Sequence, residues 1–91
     1  MTRVERIRSA LQVAFAPTVL TVVDDSGKHA GHAGARDGRG HFTVMIVSDG
    51  FAGLAPLARH RRVYAALGEL MQTDIHALSI RAQTPHEAAT G

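Results

Sequence analysis

The sequence predicts an α+β fold in which two helices cover one face of a three-stranded sheet. Two long stretches repeat apolar residues at helical spacing, one near the N-terminus and one after residue 59. Three shorter stretches are β-branched or alternate with the period of a strand. The order is helix, strand, strand, short helix, long helix, strand, and stacking the helices on the sheet buries both apolar stripes. At 91 residues the chain has room for a single domain, residues 1–91, with one modest core.

Thr2-Arg3-Val4-Glu5 fits a capping box, in which Thr2 accepts from the Glu5 amide and the Glu5 side chain reaches back. Val4, Ile7, Leu11, Ala14 and Phe15 then form one helical stripe, and Pro17 disfavours helical geometry at Ala16. Val19 to Asp24 reads as a strand. Phe42, Val44 and Ile46 alternate with Thr43, Met45 and Val47 in a second strand, antiparallel to the first. The connection from Asp25 to Gly40 is far longer than a hairpin needs and holds five of the nine glycines. Asp49 to Gly53 reads as a turn, and Pro56 suits the first turn of a short helix. His60, Val63, Tyr64, Leu67, Leu70 and Met71 mark a second long helix, with Asp74 in the turn that follows. Ile75 to Ala82 reads as the third strand, with His76, Leu78 and Ile80 on one face by alternation. Thr84-Pro85-His86-Glu87 looks like the capped start of a short C-terminal helix.

The chain has no cysteine, which excludes disulfides, cysteine-rich zinc sites and a thiolate nucleophile. Soft-metal chemistry would have to borrow sulfur from a partner, and the six histidines are the distinctive residues left. Net charge is only +2, and a dedicated nucleic-acid binder usually carries a denser basic stripe. No apolar run approaches the roughly 20 residues that span a bilayer. The N-terminus lacks the apolar core of a signal peptide, so a cytoplasmic location is expected.

Phe51-Ala52-Gly53, followed after five residues by Arg59-His60-Arg61-Arg62-Val63-Tyr64, resembles the F-x-G-x5-R-H-R-x-V-Y motif of the BolA family. Ile75-His76-Ala77-Leu78 is similar to that family's V/I-H-A-L. Asp25-Ser26 leading to His29, and His41-Phe42 closing the loop, make a third match. The resemblance implies a class II KH-like fold of α-β-β-α-α-β order, with a three-stranded mixed sheet and helices on one face. It also implies a heterodimer with a monothiol glutaredoxin, bridged by a [2Fe–2S] cluster. Glutaredoxin and glutathione would supply thiolates and this chain histidine nitrogen, as in the family's histidine-loop branch. His29 matches the loop ligand position and His76 the strand position. Such a protein takes part in iron–sulfur cluster trafficking or iron regulation. Imidazole ligation of iron is chemically sound, and it needs the neutral ring, whose free pKa is near ~6.5, so ligation is expected to weaken in acid.

Each histidine also has a bland reading. His29 would be a solvated loop residue, and His76 a partly buried strand residue with a satisfied hydrogen bond or, as the first residue out of the turn, one that points outward at a rim. His60 lies on the apolar stripe of the long helix, where packing is the better account, with ligation a weaker alternative. His32 makes a His-x-x-His pair with His29 that could bind a lone transition metal, and is a further weak candidate. His41 is expected to be a structural residue near the cluster, and His86 to be solvated. Arg59, Arg61 and Arg62 are either a solvated helix face or a contact surface, for carboxylates of the partner and glutathione or for DNA phosphates. Some BolA-like proteins act as transcriptional regulators of morphology or stress response, which makes DNA binding the alternative function. Gly50-Phe51-Ala52-Gly53 spells G-x-x-G but precedes the helix pair, unlike the clamp of a KH domain. No serine, histidine and carboxylate constellation is specified, so no enzyme activity and no catalytic residue is expected.

Overall fold

The computed structural model describes residues 1–26 and 38–90. Its elements are α1 (Arg3–Phe15), β1 (Val19–Asp24), β2 (Gly40–Val47), a 3-10 turn (Asp49–Phe51), α2 (Pro56–Leu67), α3 (Leu70–Thr73), β3 (Ile75–Gln83) and α4 (Pro85–Thr90). The sheet has the order β1-β2-β3, with β1 antiparallel and β3 parallel to β2. It is the three-stranded mixed sheet with helices that the resemblance implies.

Phe42, Val44 and Ile46 of β2 face the helices and are buried with Ile7 and Leu11 of α1 and Val63 and Leu67 of α2. The capping box of Thr2 and Glu5 forms as expected, and α1 stops with Ala16 in the left-handed region (φ 45°), its N–H bonded to Gln12. Ala16 is not glycine, so this turn carries a steric penalty of about 1–2 kcal/mol that the following packing must offset. Ser48 helps to do so. Its buried hydroxyl donates to the Phe15 carbonyl (2.7 Å) and accepts from the Gly50 amide (3.0 Å). The Phe15 and Phe51 rings stack beside it with centroids 4.8 Å apart.

The structure corrects three details of the helices. Ala14 is exposed, and Ala10 joins the core in its place. The helix that Pro56 opens is continuous to Leu67, so the short helix follows the long one instead of preceding it. Gly68 makes the break with φ 53°, a conformation that side chains other than glycine's rarely adopt, and Leu70 and Met71 reach the core from α3. Tyr64 is exposed despite its place on the predicted stripe.

The third strand differs more instructively. Gly40 pairs with Ile75 but His41 pairs with Ala77, so β3 carries one extra residue, His76, opposite that step. A bulge of this kind breaks the alternation of the strand. Ile75 is buried and Leu78, Ile80 and Ala82 pack on the core, while His76 is exposed. His76 therefore does not share the face of Leu78 and Ile80, as strict alternation predicts. Gly40 allows the close approach at this step, since a Cβ there would lie 2.5 Å from the Ser26 hydroxyl and 2.9 Å from the Phe42 ring.

The chain ends in a clasp. Arg59 donates to the carbonyls of Leu54 and Ala82 and forms a forked ion pair with Glu87 (2.5 and 3.0 Å). Thr84 and Glu87 make a second capping box. Bonds from Arg59 and from the Thr84 amide hold the Glu87 carboxyl down to about 2. A carboxylate whose folded pKa is depressed adds stability above its unfolded value, near ~4.3, and that contribution fades as the pH falls through the folded value. Glu87→Gln is thus expected to lower the melting temperature at pH 7, and the gap to wild type should close as the pH approaches about 2. Thermal unfolding across that range checks it; a gap that persists unchanged in acid would contradict it.

Candidate functional site

The two ends of the long connection are held by different parts of the fold. On the outgoing side, Ser26 donates its amide to the Asp24 carboxylate (2.8 Å), and its hydroxyl accepts from the His41 amide (3.1 Å). Asp25 donates its amide to the His41 carbonyl (2.7 Å) and accepts from the Thr43 hydroxyl (2.5 Å). On the returning side, Arg3 donates to the Gly38 carbonyl and the Gly40 amide donates to the Asp74 carbonyl (2.9 Å).

Asp74 joins this region to α1. Its carboxylate takes Arg3 Nε at 3.4 Å and Arg6 Nε at 3.2 Å, and its side chain is only 14% exposed. Burial pushes that carboxyl up, but the bonds and charges of Arg6 and Arg3 outweigh burial and hold it below its ordinary value. Asp74 precedes Ile75 directly, so one residue ties the start of the bulged strand, the return of the loop and the first turn of α1 together.

The bulge places His76 beside His41, the first residue after the Gly40 step. Their ring centroids are 5.3 Å apart at an interplanar angle of 49°. The His76 ring is exposed, and Arg39 Nη2 lies 3.4 Å from its Nδ1. Among the described residues no group of three or more His, Cys, Asp or Glu stands close enough to hold a metal ion. His41 and His76 thus bring two imidazoles together and no thiolate.

The other predicted site residues fall as follows. His29 and His32 lie outside the described residues. His60 is half-buried on α2 and, among the described residues, belongs to no metal-sized group. His86 is exposed on α4, as expected. Arg61 and Arg62 are exposed on α2, but Arg59 is set apart from them, its side chain 12% exposed and committed to the clasp with Glu87. A surface role for Arg59 gives way to this structural one. Arg39 and Asp74 are the residues that sequence reasoning missed. Asp74 is one residue ahead of the Ile75-His76-Ala77-Leu78 motif, and Arg39 sits between the two glycines before His41, but neither type nor spacing marks them.

Residues 11–87 match the family model for BolA-like proteins. This chain belongs to the BolA-like family. BOLA1 of Arabidopsis thaliana chloroplasts is 46% identical over 89 residues, covering 94% of this chain and 56% of that protein. The DNA-binding transcriptional regulator BolA of Escherichia coli (strain K12) is 43% identical over 83 residues, covering 91% and 76%. The solved structure of BolA1 from Arabidopsis thaliana superposes with a TM-score of 0.83 at 44% identity, covering 96% of each chain. This BolA-like chain spans about half the length of several curated relatives, 56% for the Arabidopsis one. Among the described residues no helix is long and apolar enough to cross a membrane.

The Asp74 junction makes a prediction about the site's rigidity. Asp74→Ala should destabilise the fold by about 1–2 kcal/mol, the worth of a few partly exposed charge-assisted bonds. It should also speed hydrogen exchange at the Gly40 amide, measured by NMR. Unchanged exchange there would show that Arg3, Arg6 and Asp74 do not hold the loop end.

Proposed function

We propose that this BolA-like chain is the histidine-bearing half of a [2Fe–2S] site shared with a monothiol glutaredoxin and its glutathione. The observation that carries this reading is the exposed His76 ring, turned out by the bulge and set beside His41 where the long loop returns. A chain without cysteine can offer iron no thiolate, and exposed imidazole is softer than its oxygen ligands. His76 is the fixed ligand and His29, on the loop between the anchored ends, the second one, which puts the chain in the family's histidine branch. Arg61 and Arg62 on α2 suit carboxylates of the partner or of glutathione. The role is that of a partner and not of an enzyme, in cytoplasmic cluster trafficking or iron regulation.

A second reading, DNA binding in transcriptional regulation, draws on the printed role of the Escherichia coli relative and on the exposed pair Arg61 and Arg62. The loss of Arg59 to an internal ion pair thins the basic patch that DNA phosphates would need.

Mixing the chain with cluster-loaded monothiol glutaredoxin should change its visible absorption and circular dichroism. His76→Ala and His29→Ala should each weaken that response by roughly 10- to 100-fold in apparent affinity, at least what a lost supporting contact to a ligand removes. Spectra that ignore both substitutions would overturn the assignment. Duplex affinity that falls steeply with salt and with loss of Arg61 and Arg62 would favour the second reading instead.

A further inference from the structure

We propose that the outer edge of β1 pairs, antiparallel about a two-fold axis at Val22, with the same edge of a second copy of this chain. Arg8 of each copy then stands against Asp24 of the other. This surface is separate from the site described above, because His76 lies on β3, the opposite edge of the sheet.

β1 is bonded within the sheet to β2 alone. The Asp25 amide donates to the His41 carbonyl, so the odd-numbered residues of this segment turn their main-chain groups toward β2. Leu20, Val22 and Asp24 turn theirs outward. Arg8 of α1 marks the same direction, since its Nη1 donates to the Leu20 carbonyl at 2.9 Å. That oxygen keeps a second lone pair for another donor. Edges are commonly blunted by proline, lysine or a bulge. Val19-Leu20-Thr21-Val22-Val23-Asp24 has none of these and pairs with β2 residue for residue. Val19 and Val23 are 45% and 44% exposed beside it.

Charge selects the occupant and the register. Leu20 and Val22 pack toward the core, and Asp24 has their parity, so it belongs to the face that α1 covers. Asp24 is exposed and accepts from the Ser26 amide (2.8 Å). Among the described residues neither Arg8 nor Asp24 forms an ion pair. With Val22 opposite Val22 of the second copy, Leu20 stands opposite Asp24 of that copy. Arg8, already at the Leu20 carbonyl, meets the carboxylate on the shared face, and the two-fold axis repeats the pair. An axis at Val23 would crowd the two Asp24 carboxylates together. An axis at Thr21 would set Asp24 opposite Thr18, clear of Arg8. One strand edge from each copy falls short of the roughly 1,200 Å² of a stable interface, so the dimer dissociates on dilution.

Sedimentation over a concentration series at low salt, with hydrogen exchange at the Val22 amide, tests this on the whole chain. Wild type should pass from monomer to dimer as concentration rises, and exchange at Val22 should slow with it. Arg8→Glu and Asp24→Lys should each weaken dimerisation by roughly five- to thirtyfold, the loss of two partly exposed ion pairs. Asp24→Asn, which keeps an acceptor for the Ser26 amide, should weaken it less. The double exchange, Arg8→Glu with Asp24→Lys, should restore most of the affinity; circular dichroism checks that each variant is folded. A wild type that stays monomeric, a dimer indifferent to all these changes, or a double exchange that restores nothing would overturn the proposal. So would an extended peptide that protects the Val22 amide of a chain that remains monomeric.

Discussion

One extra residue in β3, opposite the Gly40–His41 step, decides which side chains this fold buries and which it presents. With Gly40 paired to Ile75 and His41 to Ala77, Ile75 and Leu78 both face the core although three positions apart. His76 is the residue left over, and it faces outward beside His41. The arrangement needs the missing Cβ of Gly40, because the Ser26 hydroxyl and the Phe42 ring occupy that space. Fold and site therefore depend on the same step of the same strand pair.

Around that step the charges serve geometry more than surface. Asp74 draws Arg3 and Arg6 of α1 onto the turn before β3, and Arg3 reaches on to the Gly38 carbonyl. At the far end of the sheet, Arg59 and Glu87 fasten α2, the end of β3 and α4. The first junction holds the returning loop against His76, and the second keeps the parallel strand seated.

Most of the architecture was legible in the residues. The capping box of Thr2 and Glu5, the strand from Val19 to Asp24 and the alternation of Phe42, Val44 and Ile46 each follow from local pattern and appear where the pattern places them. The break at Gly68 was less visible, because Leu67, Leu70 and Met71 keep helical spacing across it and only backbone conformation reveals the turn. The outward turn of His76 was one of two orientations the sequence left open. Alternation assigns it to the face of Leu78 and Ile80, and a bulge is a property of two paired strands, not of one. Arg59, in the most recognisable motif, looked like surface because its partner Glu87 is 28 residues away. The junction at Asp74 spans 71 residues to Arg3 and was equally beyond local reading.

The central claim is that His76 lends nitrogen to an iron held jointly with a partner. Electron spin-echo spectroscopy of the reduced complex, with only this chain's histidines labelled with 15N, tests it most directly. Ligation by His76 predicts a 15N coupling to the cluster spin that is lost or halved in His76→Ala. A complex that carries the cluster but shows no such coupling, or one unchanged by His76→Ala, would contradict it.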